Sequence, residues 1–87
     1  MRLDKFLVVA RLVKQRTRAK ELCDAGHIKI GGKTAKAAYD VKAGDTLELT
    51  LPERRLVMKI GAVPEKKSVS KETAETLYET LSEERIR

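Results

Sequence analysis

The hydrophobic period of this 87-residue chain changes from helical to alternating at Gly26, and that change limits the fold more than any other feature. Before it, Leu3, Phe6, Leu7, Ala10 and Val13 recur at helical spacing, with Val9 and Leu12 widening the stripe and leaving Arg2 and Lys5 outside it. The spacing predicts a first helix over about 3–13. Thr17 is placed to cap a second, short helix whose inward face is Ala19, Leu22 and Cys23, and Gly26 is a suitable left-handed stop. After Gly26 apolar residues alternate instead. His27-Ile28-Lys29-Ile30 runs into Gly31-Gly32, which supplies the positive φ of a tight hairpin, and Lys33-Thr34-Ala35 returns.

The alternation resumes after a turn at Val41–Asp45. Thr46–Leu51 is apolar at every second residue, Pro52-Glu53-Arg54-Arg55 breaks the chain, and Leu56–Ile60 is a further strand. The expected fold is α+β: two N-terminal helices packed on a small, mainly antiparallel sheet. Residues 61–70 read as a polar connector, and Ala74, Leu77, Tyr78 and Leu81 mark one side of a final helix whose other side is acidic, through Glu72, Glu75, Glu79, Glu83 and Glu84. This division makes residues 1–60 the main domain and 61–87 a connector with an acidic amphipathic C-terminal helix.

A chain of this size buries one modest core, which disfavours a large enclosed active site. No apolar run approaches the roughly 18 residues of a membrane span, and no apolar signal-peptide core follows Met1, so the cytoplasm is the expected location. The lone Cys23 cannot form an internal disulfide, in keeping with a reducing compartment.

The net charge of +6 is unevenly spread. Residues 1–38 carry ten Lys/Arg against three acids, Asp4, Glu21 and Asp24, whereas residues 39–87 carry nine against ten. All the surplus lies in the first half, which favours a polyanionic partner, nucleic acid before an acidic membrane surface. Lys14, Arg16, Arg18 and Lys20 crowd the start of the second helix, where the helix dipole prefers anions. A phosphate backbone resolves that conflict by accepting hydrogen bonds from the helix end, the Thr17 hydroxyl and the arginine forks together. The competing reading is a basic face that serves solubility alone.

Only three aromatic residues occur, Phe6, Tyr39 and Tyr78, and Phe6 and Tyr78 sit on apolar faces. Single-strand readers that work by stacking need exposed rings, so shaped or folded RNA, gripped through phosphates, is the expected ligand. No exposed helical face combines Asn, Gln and Arg in the manner of a base-reading helix.

Catalysis and metal binding find little support. Cys23 faces the core, His27 opens a strand, and no third group orients the pair. No Cys/His spacing supplies a metal's ligands, and no cofactor is expected. Gly31-Gly32-Lys33-Thr34 contains the letters of a P-loop ending without its first glycine or its flanking strand and helix.

Four segments in order, Arg2-Leu3-Asp4-Lys5-Phe6-Leu7, Arg16-Thr17-Arg18-Ala19-Lys20, Gly26-His27-Ile28-Lys29-Ile30 with Gly32-Lys33, and Asp40-Val41-Lys42-Ala43-Gly44-Asp45, resemble the successive signatures of the S4-type RNA-binding domain, the αL motif. The resemblance spans about residues 1–51. It implies a basic helix pair set on structured RNA, with contacts from Arg2, Lys5, Arg11, Lys14, Arg16, Thr17, Arg18 and Lys20 and a rim of Lys29, Lys33 and Lys36. Such domains often accompany enzymes, but with 87 residues no catalytic domain is expected here. Among free-standing members, the length, the Met-Arg-Leu-Asp-Lys start and the short acidic tail are similar to the RqcP branch, relatives of the fifteen-kilodalton heat-shock protein. That resemblance implies a monomeric, non-enzymatic factor of ribosome-associated quality control. Its partners would be large-subunit rRNA, peptidyl-tRNA on the large ribosomal subunit and an RqcH-like tailing factor that adds alanines. The alternatives are a general or heat-shock-type rRNA/tRNA binder without a tailing role, and a protein-interaction module that uses the acidic helix.

Overall fold

Two helices precede the change of period and a sheet follows it. The computed structural model describes residues 1–64 and 69–85. In chain order these form α1 (Leu3–Val9), α2 (Arg16–Asp24), β1 (Ile28–Ile30), β2 (Lys33–Thr34), β3 (Thr46–Thr50), β4 (Arg54–Ile60), α3 (Lys71–Glu75) and β5 (Tyr78–Arg85). The strands make one antiparallel sheet in the order β2-β1-β3-β4-β5.

Register follows from which residues must be buried. Ile28 and Ile30 stand opposite Leu49 and Leu47, and these in turn oppose Leu56 and Met58. A slip of one residue in any strand would turn its apolar set toward water. Leu3, Phe6 and Leu7 of α1 join Ile28, Leu47, Leu49, Met58 and Ile60 of the sheet in a single core, all of them fully buried. At the β1–β2 turn, Gly31 and Gly32 have φ of 60° and 85°, the pair of positive values that a two-residue primed turn requires.

Both helices close in the same way. Behind α2, the N–H of His27 donates to Leu22 O (2.9 Å) and that of Gly26 to Cys23 O (3.0 Å), with Gly26 at φ 79°. This is a Schellman cap on the expected glycine. Behind α1, Leu12 N–H donates to Leu7 O (2.9 Å) and Arg11 N–H to Val8 O (3.0 Å), so the left-handed position falls on Arg11, φ 60°. The first helix therefore stops at Val9 rather than continuing to residue 13. Val13 stays buried because the reversal folds it back, with its N–H on Leu7 O at 3.1 Å.

Three further expectations are corrected. Thr17 does not cap α2: Gln15 holds the N-cap position with extended backbone and no side-chain cap bond, and Thr17 is an exposed second residue of the helix. The break at residues 52–55 narrows to a hairpin loop of Pro52 and Glu53, closed by Leu51 N–H on Arg54 O at 2.8 Å, and Arg54 already belongs to β4. The acidic amphipathic helix shrinks to Lys71–Glu75, capped by the Ser70 hydroxyl accepting from Thr73 N–H at 3.2 Å, and residues 78–85 are strand.

The reason is electrostatic and topological. A continued helix would set Glu75, Glu79 and Glu83 at successive i, i+4 positions, where like charges repel. On β5, Glu83 instead lies 3.6 Å from Arg54 and Glu84 3.3 Å from Arg55, while the strand satisfies the outer edge of β4. Residues 65–68 of the expected connector lie outside the described residues. No helix among the described residues is long and apolar enough to cross a membrane.

Candidate nucleic-acid interface

The site begins with one acid inside the core. Asp4 is 2 % exposed, the single buried charged residue among those described. Its Oδ1 accepts from the Lys5 N–H at 2.8 Å and from Arg2 Nε at 3.2 Å, and its Oδ2 accepts from Arg2 Nη2 at 3.4 Å. Arg16 Nε, from the start of α2, lies 3.2 Å from the same Oδ2. One carboxylate thus holds an arginine from the N-cap of α1 and another from the first turn of α2. Burial acts to raise the pKa of this carboxyl, but the hydrogen bonds from Arg16, Arg2 and the Lys5 N–H outweigh it and hold it below the usual 3.8.

The arrangement leaves the cations usable. The Arg2 and Arg16 side chains remain 49 % and 53 % exposed. Arg16 touches Asp4 through Nε, and among the described residues no other acidic side chain pairs with it. A guanidinium carries five N–H donors, so its terminal nitrogens can still meet an incoming phosphate in a fixed orientation. Asp4 also answers why cations are tolerated at this helix start. The first turn of α2 has no acid of its own, and α1 supplies one.

The other expected contacts fall into groups. Lys20 follows Arg16 by one helical turn on the same side of α2, and Lys14 and Thr17 are exposed beside them. Lys5 is half-buried on α1. Arg11 projects from the left-handed turn, and its Nη2 donates to Val69 O at 3.4 Å. Arg18 departs from the cluster and lines a cleft with Glu21, His27, Leu51 and Pro52. Lys29 is half-buried on β1, while Lys33 on β2 and Lys36 just beyond it are exposed.

The segment after β2 is laced to α1. Leu3 N–H donates to Tyr39 O (2.8 Å) and Asp4 N–H to Ala37 O (3.2 Å), and the Met1 ammonium meets Asp40 Oδ1 at 2.7 Å. Sequence reasoning missed Asp4 as an organiser, although a signal was there: it lies three residues before Leu7 and four before Val8, at the border of the apolar stripe. Cys23 is buried, and desolvation, with the charges of Asp4 and Asp24, pushes its thiol up to about 11, so it stays protonated at neutral pH and is a poor nucleophile. Among the described residues no three His, Cys, Asp or Glu side chains converge as a metal site.

A two-helix basic edge on a small antiparallel sheet, begun by Arg2 and Asp4, defines a class: the chain belongs to the S4 domain family, whose model matches residues 1–47. Within that class it is similar to two proteins named RQC P-site tRNA stabilizing factor. That of Halalkalibacterium halodurans is 49% identical over 99% of this chain and 96% of the relative, and that of Bacillus subtilis is 44% identical over 99% and 98%. Among solved structures, trimeric heat shock protein 15 of Vibrio cholerae superposes with a TM-score of 0.86 at 26% identity, covering 94% of this chain and 82% of that one. The α+β expectation and the family resemblance are both borne out.

Proposed function

We propose that this protein is a non-enzymatic RNA-binding accessory factor of translation. In this reading it binds rRNA and tRNA on a large ribosomal subunit that carries a stalled peptidyl-tRNA, and it assists an RqcH-like factor in alanine tailing of the nascent chain. The observation that carries the proposal is the pair Arg2 and Arg16, drawn from two helices onto one buried carboxylate while both guanidinium groups stay about half exposed, Arg16 engaged there through Nε alone and Arg2 through Nε and Nη2. Near-full-length similarity to relatives named for stabilising a P-site tRNA supports it. The contact set is Arg2, Lys5, Arg11, Lys14, Arg16, Thr17, Arg18 and Lys20, rimmed by Lys29, Lys33 and Lys36.

The mechanism is a clamp. Two RNA elements bound to one rigid basic edge are held in a fixed relation long enough for another factor to work, and no bond need be made or broken. The protein acts as a cytoplasmic monomer. The competing reading, an acidic helix that docks a protein, loses its element, since Glu79, Glu83 and Glu84 lie on β5.

Crosslinking of the tagged protein to RNA in its own cells, with and without Arg16→Ala, tests this. Crosslinks confined to large-subunit rRNA and tRNA, and lost in the variant, are expected. Scattered, small-subunit or variant-insensitive crosslinks would overturn the ribosomal reading.

A further inference from the structure

Beyond the helix pair, the β1–β2 hairpin and the segment after it enclose an open groove of about 470 Å³. It is lined by Ile30, Ala35, Ala38 and Tyr39 together with Lys33, Thr34 and Lys36, and no carboxylate is among its lining residues. Tyr39 is half-buried and packs against the core. Its hydroxyl donates to Asp45 Oδ2 at 3.0 Å, and the same oxygen accepts the Lys42 N–H at 2.9 Å. The backbone on either side is tied as well, by Tyr39 N–H to Lys36 O at 3.0 Å and by Leu3 N–H to Tyr39 O. The ring is therefore fixed at its polar tip and at its root, and needs no ligand to order it.

We propose that this groove holds one unpaired nucleotide of the bound RNA, its base laid on Tyr39 and the apolar lining and its phosphates between Lys33 and Lys36. Three features select that occupant. An apolar lining with an aromatic ring suits a base face, two ammonium groups with no acid among them suit its phosphates, and no side-chain amide lines the groove to read a base edge bidentately, the Thr34 hydroxyl being able to bond any base. The site is therefore sequence-tolerant. It borders the basic edge, because the N–H groups of Leu3 and Asp4 bind the carbonyls of Tyr39 and Ala37 and the backbone of Arg2 pairs with that of Asp40. The preferred RNA then has a folded part for the helix pair and an unstacked nucleotide next to it. This inference rests on the RNA-binding reading above and adds a stacking component that composition had disfavoured.

The test uses the full chain and two labelled probes, an oligouridylate of about ten nucleotides and a blunt RNA duplex, followed by fluorescence anisotropy at low salt. Tyr39→Leu is expected to weaken the oligouridylate about 5- to 100-fold, as for loss of one base stack, and to change the duplex by less than about 2-fold. Tyr39→Phe keeps the ring and stays within about 3-fold on both. Should a thermal melt show that Tyr39→Leu is unfolded, the Lys33→Gln/Lys36→Gln variant decides, and it must weaken the oligouridylate more than the duplex. Unchanged oligouridylate affinity in these variants, equal losses on both probes, or wild-type binding of the duplex alone would overturn the groove assignment and leave the helix-pair reading standing. Binding of neither probe by the wild type would overturn both. Tyr39-dependent binding of polyglutamate without binding of oligouridylate would assign the groove to an acidic protein segment.

Discussion

Arg16, the first residue of α2, meets Asp4, in the first turn of α1, at 3.2 Å from Nε to Oδ2, and the carboxylate is buried while the guanidinium is half in water. The pair joins two helices and at the same time aims a cation outward. Folding and binding are therefore separable in its variants.

Arg16→Ala removes a half-exposed guanidinium and leaves the buried Asp4 bonded to Arg2 and the Lys5 N–H, so it should cost about 1 kcal/mol of stability. It should weaken RNA binding about tenfold, as for a lost charge-assisted contact. Asp4→Asn should cost more, about 1–3 kcal/mol, because it alters a buried acceptor shared by two arginines. It should also weaken binding although it raises the net charge. Urea unfolding and anisotropy titration check both variants, and tighter binding by Asp4→Asn would show that charge alone, not orientation, governs affinity.

The depressed pKa of Asp4 gives the acid limb of stability a sign. Below the unfolded-state pKa the unfolded chain takes up the proton before the native carboxyl does, so the stabilisation is complete above about 4 and is lost as pH falls through the lower folded value. Urea midpoints measured from neutral pH downward should fall in this range. The fall should be shallower in Asp4→Asn, which has no carboxyl to titrate.

Arg11 holds a left-handed backbone at the end of α1, where a non-glycine residue costs about 1–2 kcal/mol. Arg11→Gly should raise stability by up to about 1 kcal/mol, less than the full strain because glycine is freer in the unfolded chain. RNA affinity should drop in the same variant, since the side chain is exposed on the basic edge. Thermal melts paired with RNA titration would show the two effects moving in opposite directions.

Leu77 and Leu81 are a helical turn apart in sequence but not equivalent in the fold. Leu77 is 4% exposed in the core, whereas Leu81 is 53% exposed at the irregular step where β5 shifts register against β4. Leu77→Ala should cost about 2–4 kcal/mol and Leu81→Ala less than about 0.5 kcal/mol. Equal costs in unfolding experiments would restore the helix.

Affinity for structured RNA should fall with salt at a log–log slope of about −3.5 to −4.5, as for about five phosphate contacts. Arg16→Ala should reduce the slope by a little under one, about 0.7–0.9. A nearly flat dependence in the wild type would count against phosphate recognition altogether.

What could be read from the sequence was what is local or periodic. The switch at Gly26, the two glycines of the β1–β2 turn, the alternating strands and the basic first half are each carried by neighbouring residues, and the inward set Ala19, Leu22 and Cys23 is buried as the spacing requires. By residue type Thr17 is the better helix cap, yet Gln15 takes that position without a side-chain cap bond, and Arg16 then opens α2 within reach of Asp4. Tyr39 shows the same limit, since nothing adjacent in the chain reveals that its hydroxyl finds Asp45 and its ring borders a groove.

The amino-acid sequence by itself therefore determined the class of fold, the order of helix and strand up to Ile60, and the sign and location of the charge, because side-chain periodicity and turn chemistry act over a few residues. Tertiary structure alone decided where α1 stops, which acid offsets the cations of α2, and that residues 78–85 extend rather than coil. The last of these depends on pairing Tyr78 with Ile60 and Arg85 with Arg54. Only the finished sheet offers an edge of unpaired donors and acceptors, and satisfying that edge outweighs the helical spacing of Leu77 and Leu81.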